Sequence, residues 1–314
     1  MPVRVVIFGN SASAFTRRHL TALLNTSVNL VALVDVPPAR RETTNPTKED
    51  FPDFATTAQN LQVQNFEPSS CNSEQFVNAL RALKPDLFIA VGYPLILKSH
   101  SLNVPRIMAV NFHASLLPDY RGKHPVFWTL RHAERWAGLT VHAMDSGIDT
   151  GDILYQVKVR TRRDDSVASL YNRIMDQSVE LIGQLVADAE RGSIRRIPQP
   201  LGTGSYHSSI SPEDYHLGWD WSAEKIRRCI TITPGKCFLD ICEHPVYFHN
   251  AETERTPSPA APGTLLRLGR KRAVVASSQG ALSSSIVQVS GREVETFAGF
   301  CRRMDLNPGD KVLA

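Results

Sequence analysis

The sequence predicts an α/β fold in its first half and a smaller, β-rich domain in its second half. Up to Glu190, short apolar segments alternate with stretches whose apolar residues recur at helical spacing. This alternation is typical of a mostly parallel sheet covered by helices on both faces. After Glu190, several short strand candidates are separated by turn-forming residues, which favours a small β-barrel. A chain of 314 residues also exceeds the usual limit of a single core, about 250–300 residues.

The first half shows a Rossmann-like order of elements. Its strand candidates are almost continuously apolar, which suits strands buried on both faces. Helices are predicted where small polar residues precede an apolar period, and residues 37–54 are predicted to form a loop because Pro and charged residues fill them. The predicted strands lie at 3–8, 29–36, 61–67, 85–92, 108–110, 138–145 and 153–159, and the predicted helices within 11–25, 73–84 and 166–190.

The second half is predicted to form an OB-like barrel. The segment 193–208 is rich in Gly, Pro and Ser without periodicity, so we interpret it as a linker between a first domain (1–192) and a second domain (209–314). The basic run RLGRKR at 267–272 is predicted to be a solvated hairpin, with contact to RNA phosphate as the alternative. One helix is predicted at 222–232, and strands at 237–241, 246–249, 263–268, 273–277 and 283–290.

The composition is that of an ordinary soluble globular protein, with 42% hydrophobic and 21% charged residues. A net charge of +4 is too small to indicate nucleic-acid binding by itself. The chain shows no signal-peptide pattern and no apolar stretch of membrane-spanning length, so we expect a cytoplasmic protein without a membrane partner. Its five cysteines are scattered without CxxC spacing, so we expect reduced thiols and no metal site.

The turn after the first strand occupies the position of a dinucleotide-binding loop. The stretch IFGNSASAF contains only Gly9, whereas that fingerprint needs several glycines for close approach of a pyrophosphate. Asp35 follows at the end of the second strand, near the place of an acidic ribose ligand. We interpret the stretch as a tight strand-to-helix turn and do not expect a nicotinamide cofactor.

Three polar side chains form the predicted catalytic group. Asn111 and His113 lie two residues apart in NFHASLLPDYRG, directly after a buried strand, and Asp149 lies in TVHAMDSGIDTGDIL. Unpaired polar groups in buried positions are costly, which favours a functional reason for their presence. Since open α/β sheets place their active sites at the carboxyl ends of strands, we expect each residue to lie at the end of a parallel strand and the three to meet there.

These stretches resemble the family of transferases that use 10-formyltetrahydrofolate, whose members formylate methionyl-tRNA, glycinamide ribonucleotide and amino sugars. The family pattern is Asn-x-His-x-Ser-Leu-Leu-Pro, followed by an Asp seven residues after a histidine. Residues 111–118, His142 and Asp149 match it. The resemblance extends from the opening strand–turn–helix through AVGYPLIL to a C-terminal region that begins near GWDWSAEKIRRCI.

The resemblance implies transfer of a formyl group from 10-formyltetrahydrofolate to an amine, with neither a metal nor a covalent enzyme intermediate. Attack on the formyl carbon creates an oxyanion, to which Asn111 and His113 can donate hydrogen bonds. Asp149 can set the tautomer and charge of His113, or accept the proton of the amine through a water. His142 is expected to support Asp149 or to pack beneath it.

The resemblance also implies a pterin slot and an acceptor pocket. The slot is expected to use main-chain groups of residues 90–97 and 144–148, because pterin edges carry donors and acceptors that a backbone can match. Its predicted residues are Ala90, Val91, Gly92, Tyr93, Leu95, Ile96, Met144, Asp145, Gly147 and Ile148. Ser115 is assigned to the pocket with a structural role as its alternative, and the other predicted pocket residues are Arg121, Lys123 and His124.

The charge pattern favours a small-molecule acceptor, either an amino sugar, an amino acid or a siderophore precursor. The tRNA-formylating relatives carry a basic loop after the second strand, whereas acidic residues balance the basic ones in the segment 37–54. Residues 193–314 contain 15 Lys and Arg against 12 Asp and Glu, a net +3 (15 − 12), which is little for a tRNA-binding domain. Methionyl-tRNA is the first alternative. A hydrolase that releases formate and a non-catalytic folate-binding protein are the others, and the sequence indicates no oligomeric state.

Overall fold

The computed structural model describes residues 2–40, 53–200, 202–255 and 260–312. The chain forms two compact units, of which the first comprises residues 1–129, 135–160 and 170–208. The second comprises residues 130–134, 161–169 and 209–314. The expected charge balance of the loop 37–54 falls largely on residues 41–52, which lie outside the described residues.

The first unit is built on a seven-stranded sheet. The strands of this unit, including two outside the sheet, are β1 (Arg4–Gly9), β2 (Asn29–Asp35), β3 (Gln64–Phe66), β4 (Leu87–Val91), β5 (Met108–His113), β6 (Arg121–Gly122), β7 (Trp136–Ala143), β8 (Ile153–Arg160) and β9 (Tyr206–His207). The sheet order is β3-β2-β1-β4-β5-β7-β8, and the separate pair β6 and β9 runs in parallel. Neighbours from β3 to β5 pair in parallel, which confirms the predicted Rossmann-like sheet.

The last two strands of this sheet, β7 and β8, each run antiparallel to the strand that precedes them in the sheet order. This arrangement corrects the sequence-based expectation for Asp149. β7 pairs antiparallel with β5, and β8 pairs antiparallel with β7. A parallel crossover needs about a dozen residues or more, usually with a helix, whereas the connection between β7 and β8 covers only residues 144–152. Asp149 therefore lies in a loop between antiparallel strands and not at the end of a parallel strand.

The described residues up to Gly192 form the helices α1 (Ala14–Leu24), α2 (Phe54–Leu61), α3 (Glu74–Ala82), α4 (Ser99–Leu102), α5 (Pro125–Arg131), α6 (Val167–Ser178) and α7 (Glu180–Arg191), with a 3₁₀ turn at Pro38–Arg40. The sequence did not predict α2, α4 or α5. Helix α2 begins after Asp53, whose carboxylate accepts a hydrogen bond from the Thr56 N–H at 2.7 Å. Asp53 is thus an N-cap that resembles one more charged loop residue in the sequence.

Helices α6 and α7 replace the single long helix predicted within residues 166–190. Ser178 ends α6, and its hydroxyl oxygen lies 3.2 Å from the carbonyl oxygen of Met175 and 3.0 Å from Nε2 of His19. A serine side chain bonded to the preceding turn competes with the helical hydrogen bonds of the backbone. The buried contact with His19 therefore marks the point where one predicted helix becomes two.

The N-terminal turn is held together by Asp35, as expected for a tight strand-to-helix turn. A Cβ atom on Gly9 would lie 2.2 Å from Cγ2 of Thr16, so the close approach of β1 to α1 requires glycine. The buried Asp35 carboxylate accepts hydrogen bonds from the N–H and hydroxyl of Ser11 and, at 2.8 Å, from the N–H of Val36. These contacts give Asp35 a structural role.

The second unit consists mainly of antiparallel strands around its own apolar core. Its elements are a 3₁₀ turn (Pro212–Tyr215), α8 (Ala223–Ile232), β10 (Phe238–Ile241), β11 (His244–Phe248), β12 (Glu252–Glu254), β13 (Leu265–Leu268), β14 (Ala273–Ala276), β15 (Ala281–Ser284), β16 (Ile286–Val289), β17 (Val294–Thr296) and α9 (Phe297–Arg303). The strands form two four-stranded sheets, β10-β11-β16-β17 and β12-β15-β14-β13. Since β13 and β14 pair antiparallel, the basic run at 267–272 is a hairpin, as predicted.

The structure also bears on the expected state of the cysteines, on metal ligands and on membrane-spanning helices. All five cysteines are free thiols in the structure. In the described ranges, no group of three or more His, Cys, Asp or Glu residues is arranged to hold a metal ion. Within the same part of the chain, every helix is too short or too polar to cross a bilayer.

Candidate active site

Strands β5 and β7 place three polar side chains on one face of the sheet. Asn111 and His113 are two residues apart on β5 and therefore point to the same side. In the register of the pair, Asn111 lies directly opposite His142 of β7, and residues that are opposite one another also share a face. Nδ2 of Asn111 is 3.2 Å from Nε2 of His142.

Asp149 reaches this face from the connection between β7 and β8. Its Oδ1 lies 3.3 Å from both Nδ2 of Asn111 and Nε2 of His142. Its Oδ2 lies 3.5 Å from Nδ1 of His113 and accepts a hydrogen bond from the N–H of Gly122 at 2.9 Å. The structure thus brings the three residues predicted from the sequence together, with His142 and Gly122 as additional members of the cluster.

Gly122 can supply its N–H to Asp149 only because it has no side chain. Its φ is +94°, a conformation that favours glycine, and a Cβ atom would lie 2.2 Å from the carbonyl oxygen of His207. The glycine of the Arg121–Gly122 pair therefore allows β6 to lie against β9 and present a main-chain donor to the carboxylate.

The carbonyl oxygen of Tyr120 determines the tautomer of His113. It lies 2.8 Å from Nε2 of the imidazole, so Nε2 carries the hydrogen and donates it. Tyr120 has a φ of +60°, which is uncommon for a residue other than glycine. Nδ1 of the neutral ring then faces Asp149 with its lone pair. The expectation that Asp149 sets the tautomer is therefore corrected, since a main-chain carbonyl does so.

Burial of His113 and the contacts of Asp149 keep these two groups in defined charge states. Burial lowers the pKa of His113 below its usual value, and the nearby Asp149 charge and Tyr120 carbonyl only partly oppose this shift. Burial alone would raise the pKa of Asp149, but its contacts with His142 and His113 and the Gly122 N–H lower it to about 2. At neutral pH, the pair consists of a neutral imidazole beside a carboxylate.

Asn111 and His142 both lie against Oδ1 of the Asp149 carboxylate. Nδ1 of His142 lies 2.9 Å from the carbonyl oxygen of Ala143, so this nitrogen donates and Nε2 faces Asn111 and Asp149. The two contacts of Asn111 Nδ2, at 3.2 and 3.3 Å, are at or beyond the long end of the hydrogen-bond range. His142 contacts Asp149 directly, as expected of a supporting residue.

The loop after β4 carries half of the predicted pterin slot. Ala90 and Val91 are buried within the strand, between β1 and β5, which corrects their assignment to the slot. Gly92, with φ +66°, turns the chain out of the sheet, and Ile96 leaves 67% of its surface exposed. The carbonyl of Ile96 accepts a hydrogen bond from Nδ2 of Asn72 at 2.7 Å, which anchors the loop.

The other predicted slot residues of this loop, Tyr93 and Leu95, lie beyond the end of β4 and are half-buried. Their main-chain groups follow the strand and lie outside its pairing with β1 and β5. The ring of Tyr93 packs against Phe8, at a centroid distance of 5.4 Å. A loop that is anchored and lies outside the sheet's pairing can offer backbone donors and acceptors to a ligand.

The connection 144–148 carries the other half of the predicted slot. The N–H of Met144 bonds to the carbonyl of Ala109 at 2.8 Å and fixes the start of the connection. The Asp145 carboxylate accepts hydrogen bonds from the Gly147 N–H at 3.0 Å and from the Thr150 hydroxyl at 2.7 Å. The Asp145 side chain therefore braces the turn, while Ile148 remains 45% exposed.

The predicted acceptor-pocket residues differ in how far they are exposed. Ser115 is buried, and its hydroxyl donates to the carbonyl of Asp119 at 2.7 Å, so it stabilises its own loop and is corrected to its structural alternative. Lys123 and His124 are exposed. Arg121 is half-buried and donates from Nη2 to Oε1 of Gln199 at 3.1 Å.

Several functional contacts were missed by the sequence reading. Tyr120 and Gly122 act through main-chain groups, which every residue type carries, so apart from the glycine at position 122 the sequence contains no signal for these contacts. Gln199 and His207 lie in the segment 193–208, which was interpreted as a linker. The structure packs this segment against β6 and β8, because β9 pairs with β6 and Ile197 forms a bridge with Ile153.

The family models identify the class of protein to which this fold and site belong. Residues 3–186 match the formyl transferase model, and residues 209–305 match the model of the formyl transferase C-terminal domain. The chain therefore belongs to the formyl transferase family. Among curated proteins, it is 29% identical over 319 aligned residues to the methionyl-tRNA formyltransferase of Marinobacter nauticus, covering 99% of this chain and 98% of that protein.

Solved structures of formyl transferases share the fold. The N-formyltransferase from Helicobacter canadensis, in complex with folinic acid and dTDP-3-aminofucose, has a TM-score of 0.66 at 15% identity, covering 91% of this chain and 99% of that chain. WlaRD, a sugar 3N-formyl transferase in the presence of dTDP and 5-N-formyl-THF, has a TM-score of 0.64 at 15% identity, with coverages of 93% and 100%.

HypX from Aquifex aeolicus is another structural relative, and it is a much longer protein. A variant of it matches with a TM-score of 0.62 at 16% identity over 96% of this chain, but the chain spans only 49% of HypX. HypX has also been solved in complex with tetrahydrofolic acid. The family and these relatives together indicate a formyl-transferring enzyme.

Proposed function

We propose that this protein transfers a formyl group from 10-formyltetrahydrofolate to the primary amine of a small molecule, such as an amino sugar, an amino acid or a siderophore precursor. The observation that carries this proposal is the contact of one largely buried carboxylate, Asp149, with Asn111, His113 and His142 in a chain of the formyl transferase family.

The residues of the predicted slot fit a folate as the formyl donor. Ile96 and Ile148 are exposed apolar side chains on the two loops of the slot, and an apolar side chain on a surface loop suits contact with a flat ring. Both loops are fixed from within, by Asn72 and by Asp145. When bound, 10-formyltetrahydrofolate supplies a formyl group whose carbon is attacked by an amine.

His113 is suited to accept the proton that the amine must lose. Its Nε2–H is held by Tyr120, so Nδ1 is the nitrogen with a free lone pair. When Nδ1 is protonated, the imidazolium lies next to the ionised Asp149 and is stabilised by it. General acid–base catalysis of this kind typically contributes about 10²–10⁴-fold to a rate.

Asn111 is suited to stabilise negative charge on the formyl oxygen. Its amide hydrogens are directed at Asp149 and His142 through two long contacts of 3.3 and 3.2 Å. A long hydrogen bond is weaker than one of ideal length, so exchanging one of them for a bond to an oxyanion is favourable. Removal of one such donor in other enzymes lowers the rate by about 10²–10³-fold.

The charges of the second unit support a small acceptor. Arg267 forms an ion pair with Glu254 at 2.7 Å, and Arg272 forms one with Glu252 at 2.8 Å. Arginines that are already paired with carboxylates attract RNA phosphates less strongly than free ones, because the local charges cancel. The basic hairpin at 267–272 therefore carries less positive charge than its sequence indicates.

The wall next to Gly122 also supports a small acceptor. The ring of His207 stacks between those of Tyr120, at 5.3 Å, and Trp128, at 4.8 Å. Three stacked rings make a rigid surface beside the carboxylate cluster, with the exposed Lys123 and His124 next to it in the chain.

The five free thiols favour the cytoplasm as the location of the reaction.

Methionyl-tRNA is the second candidate acceptor. The likeness to the Marinobacter nauticus methionyl-tRNA formyltransferase, at 29% identity over nearly the full length of both chains, favours it.

An acceptor screen tests the choice between these functions. The purified protein is incubated with 10-formyltetrahydrofolate and, in separate reactions, with amino sugars, amino acids, charged initiator tRNA or no amine, and the release of tetrahydrofolate and formate is measured. We expect turnover with one class of small amine and little with tRNA. Efficient formylation of the tRNA would establish the second candidate instead, and formate release without any amine would indicate a hydrolase.

A further inference from the structure

We propose that Gln199 is a positioning residue that holds Asp149 in its reactive place and joins it to Arg121 on the acceptor side. This inference rests on the proposed function, because Asp149 is a catalytic residue only if formyl transfer occurs at this cluster.

Gln199 uses its whole side-chain amide within the site. Nε2 donates to the carbonyl oxygen of Asp149 at 2.9 Å and to that of Gly151 at 2.7 Å. Oε1 accepts from Nη2 of Arg121 at 3.1 Å. The side chain is buried, with the residue only 9% exposed, so these bonds are shielded from competing water.

The turn that Gln199 contacts has an unfavourable backbone conformation. Asp149 has a φ of +54°, which a residue with a Cβ atom adopts only where the surroundings stabilise it. Gly151 leaves no space for a side chain, since a Cβ atom would lie 1.9 Å from the carbonyl oxygen of Ala143. Two amide hydrogen bonds on the carbonyls of this turn therefore fix the direction in which the Asp149 carboxylate points.

Residues close to Gln199 in the chain fix the opposite side of the same carboxylate. The N–H of Arg121 bonds to the carbonyl of Ser205, and the N–H of Lys123 bonds to that of His207, both at 2.9 Å. These bonds hold β6 in place, and β6 contains Gly122, which donates to Oδ2 of Asp149. Asp149 is thus held through its main chain by Gln199 and through its side chain by β6.

The chemistry of the position requires an amide. The two main-chain carbonyls need hydrogen-bond donors, and the Arg121 guanidinium needs an acceptor. Only Asn and Gln side chains carry two donors and an acceptor on one planar group, and Asn is shorter by one methylene. A carboxylate has no hydrogen to donate and would be repelled by the two carbonyl oxygens. A leucine would offer these carbonyls and Arg121 no hydrogen bond.

The test compares Gln199→Leu with Asn250→Leu, a matched control in the second unit. Asn250 is a half-buried amide that, like Gln199, is bonded to main-chain groups, since its Oδ1 accepts from the N–H of Ser285 at 3.0 Å. Steady-state transfer is measured for both variants, together with thermal unfolding. We expect kcat of Gln199→Leu to fall about 100-fold, because small misplacements of a catalytic group have effects of this size, while KM for the folate stays unchanged. Asn250→Leu should lose stability but keep kcat.

A second measurement reads the position of Asp149 without any turnover. The protonation of His113 is followed by ¹⁵N NMR of histidine-labelled protein; the groups that face its ring are Asp149, His142 and the Tyr120 carbonyl. We expect the pKa of His113 to be lower in Gln199→Leu than in the wild type, since a displaced carboxylate no longer stabilises the imidazolium. Asn250→Leu should leave this pKa unchanged.

The two measurements separate failure of this inference from failure of the proposed function. An unchanged kcat or an unchanged His113 pKa in folded Gln199→Leu overturns the positioning role. If the wild type transfers no formyl group to any amine, the proposed function fails, yet the NMR comparison still decides whether Gln199 holds Asp149. Should Gln199→Leu not fold, Gln199→Asn replaces it, with the same direction of change expected in both measurements.

Discussion

Two sets of ionisable side chains, one in each unit of this protein, are used in opposite ways. In the first unit, His113, His142 and Asp149 are largely buried and contact one another. In the second unit, Arg267 and Arg272 form pairs with glutamates at the surface. Electrostatic interactions are strong where water is excluded and weak where it is not. The comparison indicates that substitutions of charged groups should affect function in the first unit and have little effect at the surface of the second.

The largest effect is expected for the three residues of the predicted catalytic group. Asn111→Ala, His113→Ala and Asp149→Ala should each lower formyl transfer by at least about 10²-fold, since each removes a group that acts on the reacting atoms. The rate is measured by release of tetrahydrofolate with the best acceptor from the screen. Circular dichroism checks that each variant is folded, and near-normal turnover in a folded variant removes that residue from the mechanism.

A buried histidine in α1 is expected to affect stability instead of turnover. His19 is fully buried, which lowers its pKa to about 4. Its folded pKa is below the unfolded value of 6.5, so its contribution to stability is complete above pH 6.5 and is lost as the pH falls toward 4. The loss should amount to about 3 kcal/mol. Urea unfolding between pH 7 and pH 4 measures this change.

A variant of His19 provides the control for this prediction. His19→Gln keeps a polar side chain near Phe15 and Ser178 but has no group that titrates in this range. The difference in unfolding free energy between wild type and His19→Gln should therefore change with pH as the histidine becomes protonated. A difference that stays constant from pH 7 to pH 4 would show that His19 is not a buried neutral group.

The smallest effect is expected for a surface pair of the second unit. Arg272→Ala separates an ion pair whose two side chains are 47% and 65% exposed, and such pairs contribute roughly 0.2–1 kcal/mol. Formyl transfer to a small amine should be unchanged. If Arg272→Ala instead lowers turnover with charged tRNA several-fold, the second unit takes part in binding, and the contrast between the two units is wrong.

The sequence predicted those parts of the fold and site that depend on side-chain type. The apolar strands from β1 to β5 and the positions of Asn111 and His113 at the end of β5 follow from residue patterns. The antiparallel direction of β7 was missed, because an apolar strand has the same pattern in either direction. The contacts of the Tyr120 carbonyl and the Gly122 N–H were missed because they involve the main chain.

The segment 193–208, which contains Gln199, shows a different reason why an interpretation from sequence differs from the structure. Its Gly, Pro and Ser content is typical of a linker, and the segment has little regular structure apart from β9. The positioning role proposed for this segment depends on a single amide that contacts residues about 50 positions earlier in the chain. Contacts of this kind depend on the path of the chain in three dimensions, which periodicity does not describe.

The most direct test of the account is the pH dependence of kcat for the wild type and for His113→Gln. The account assigns proton transfer to a neutral His113 beside an ionised Asp149. It therefore predicts that wild-type kcat falls only at acidic pH, below the usual pKa of histidine, as His113, whose pKa is lowered by burial, becomes protonated, while Asp149, with a pKa of about 2, stays ionised. The slow His113→Gln variant should lack this decrease. A wild-type kcat that stays constant down to pH 4, or an identical decrease in both proteins, would contradict the central role of His113.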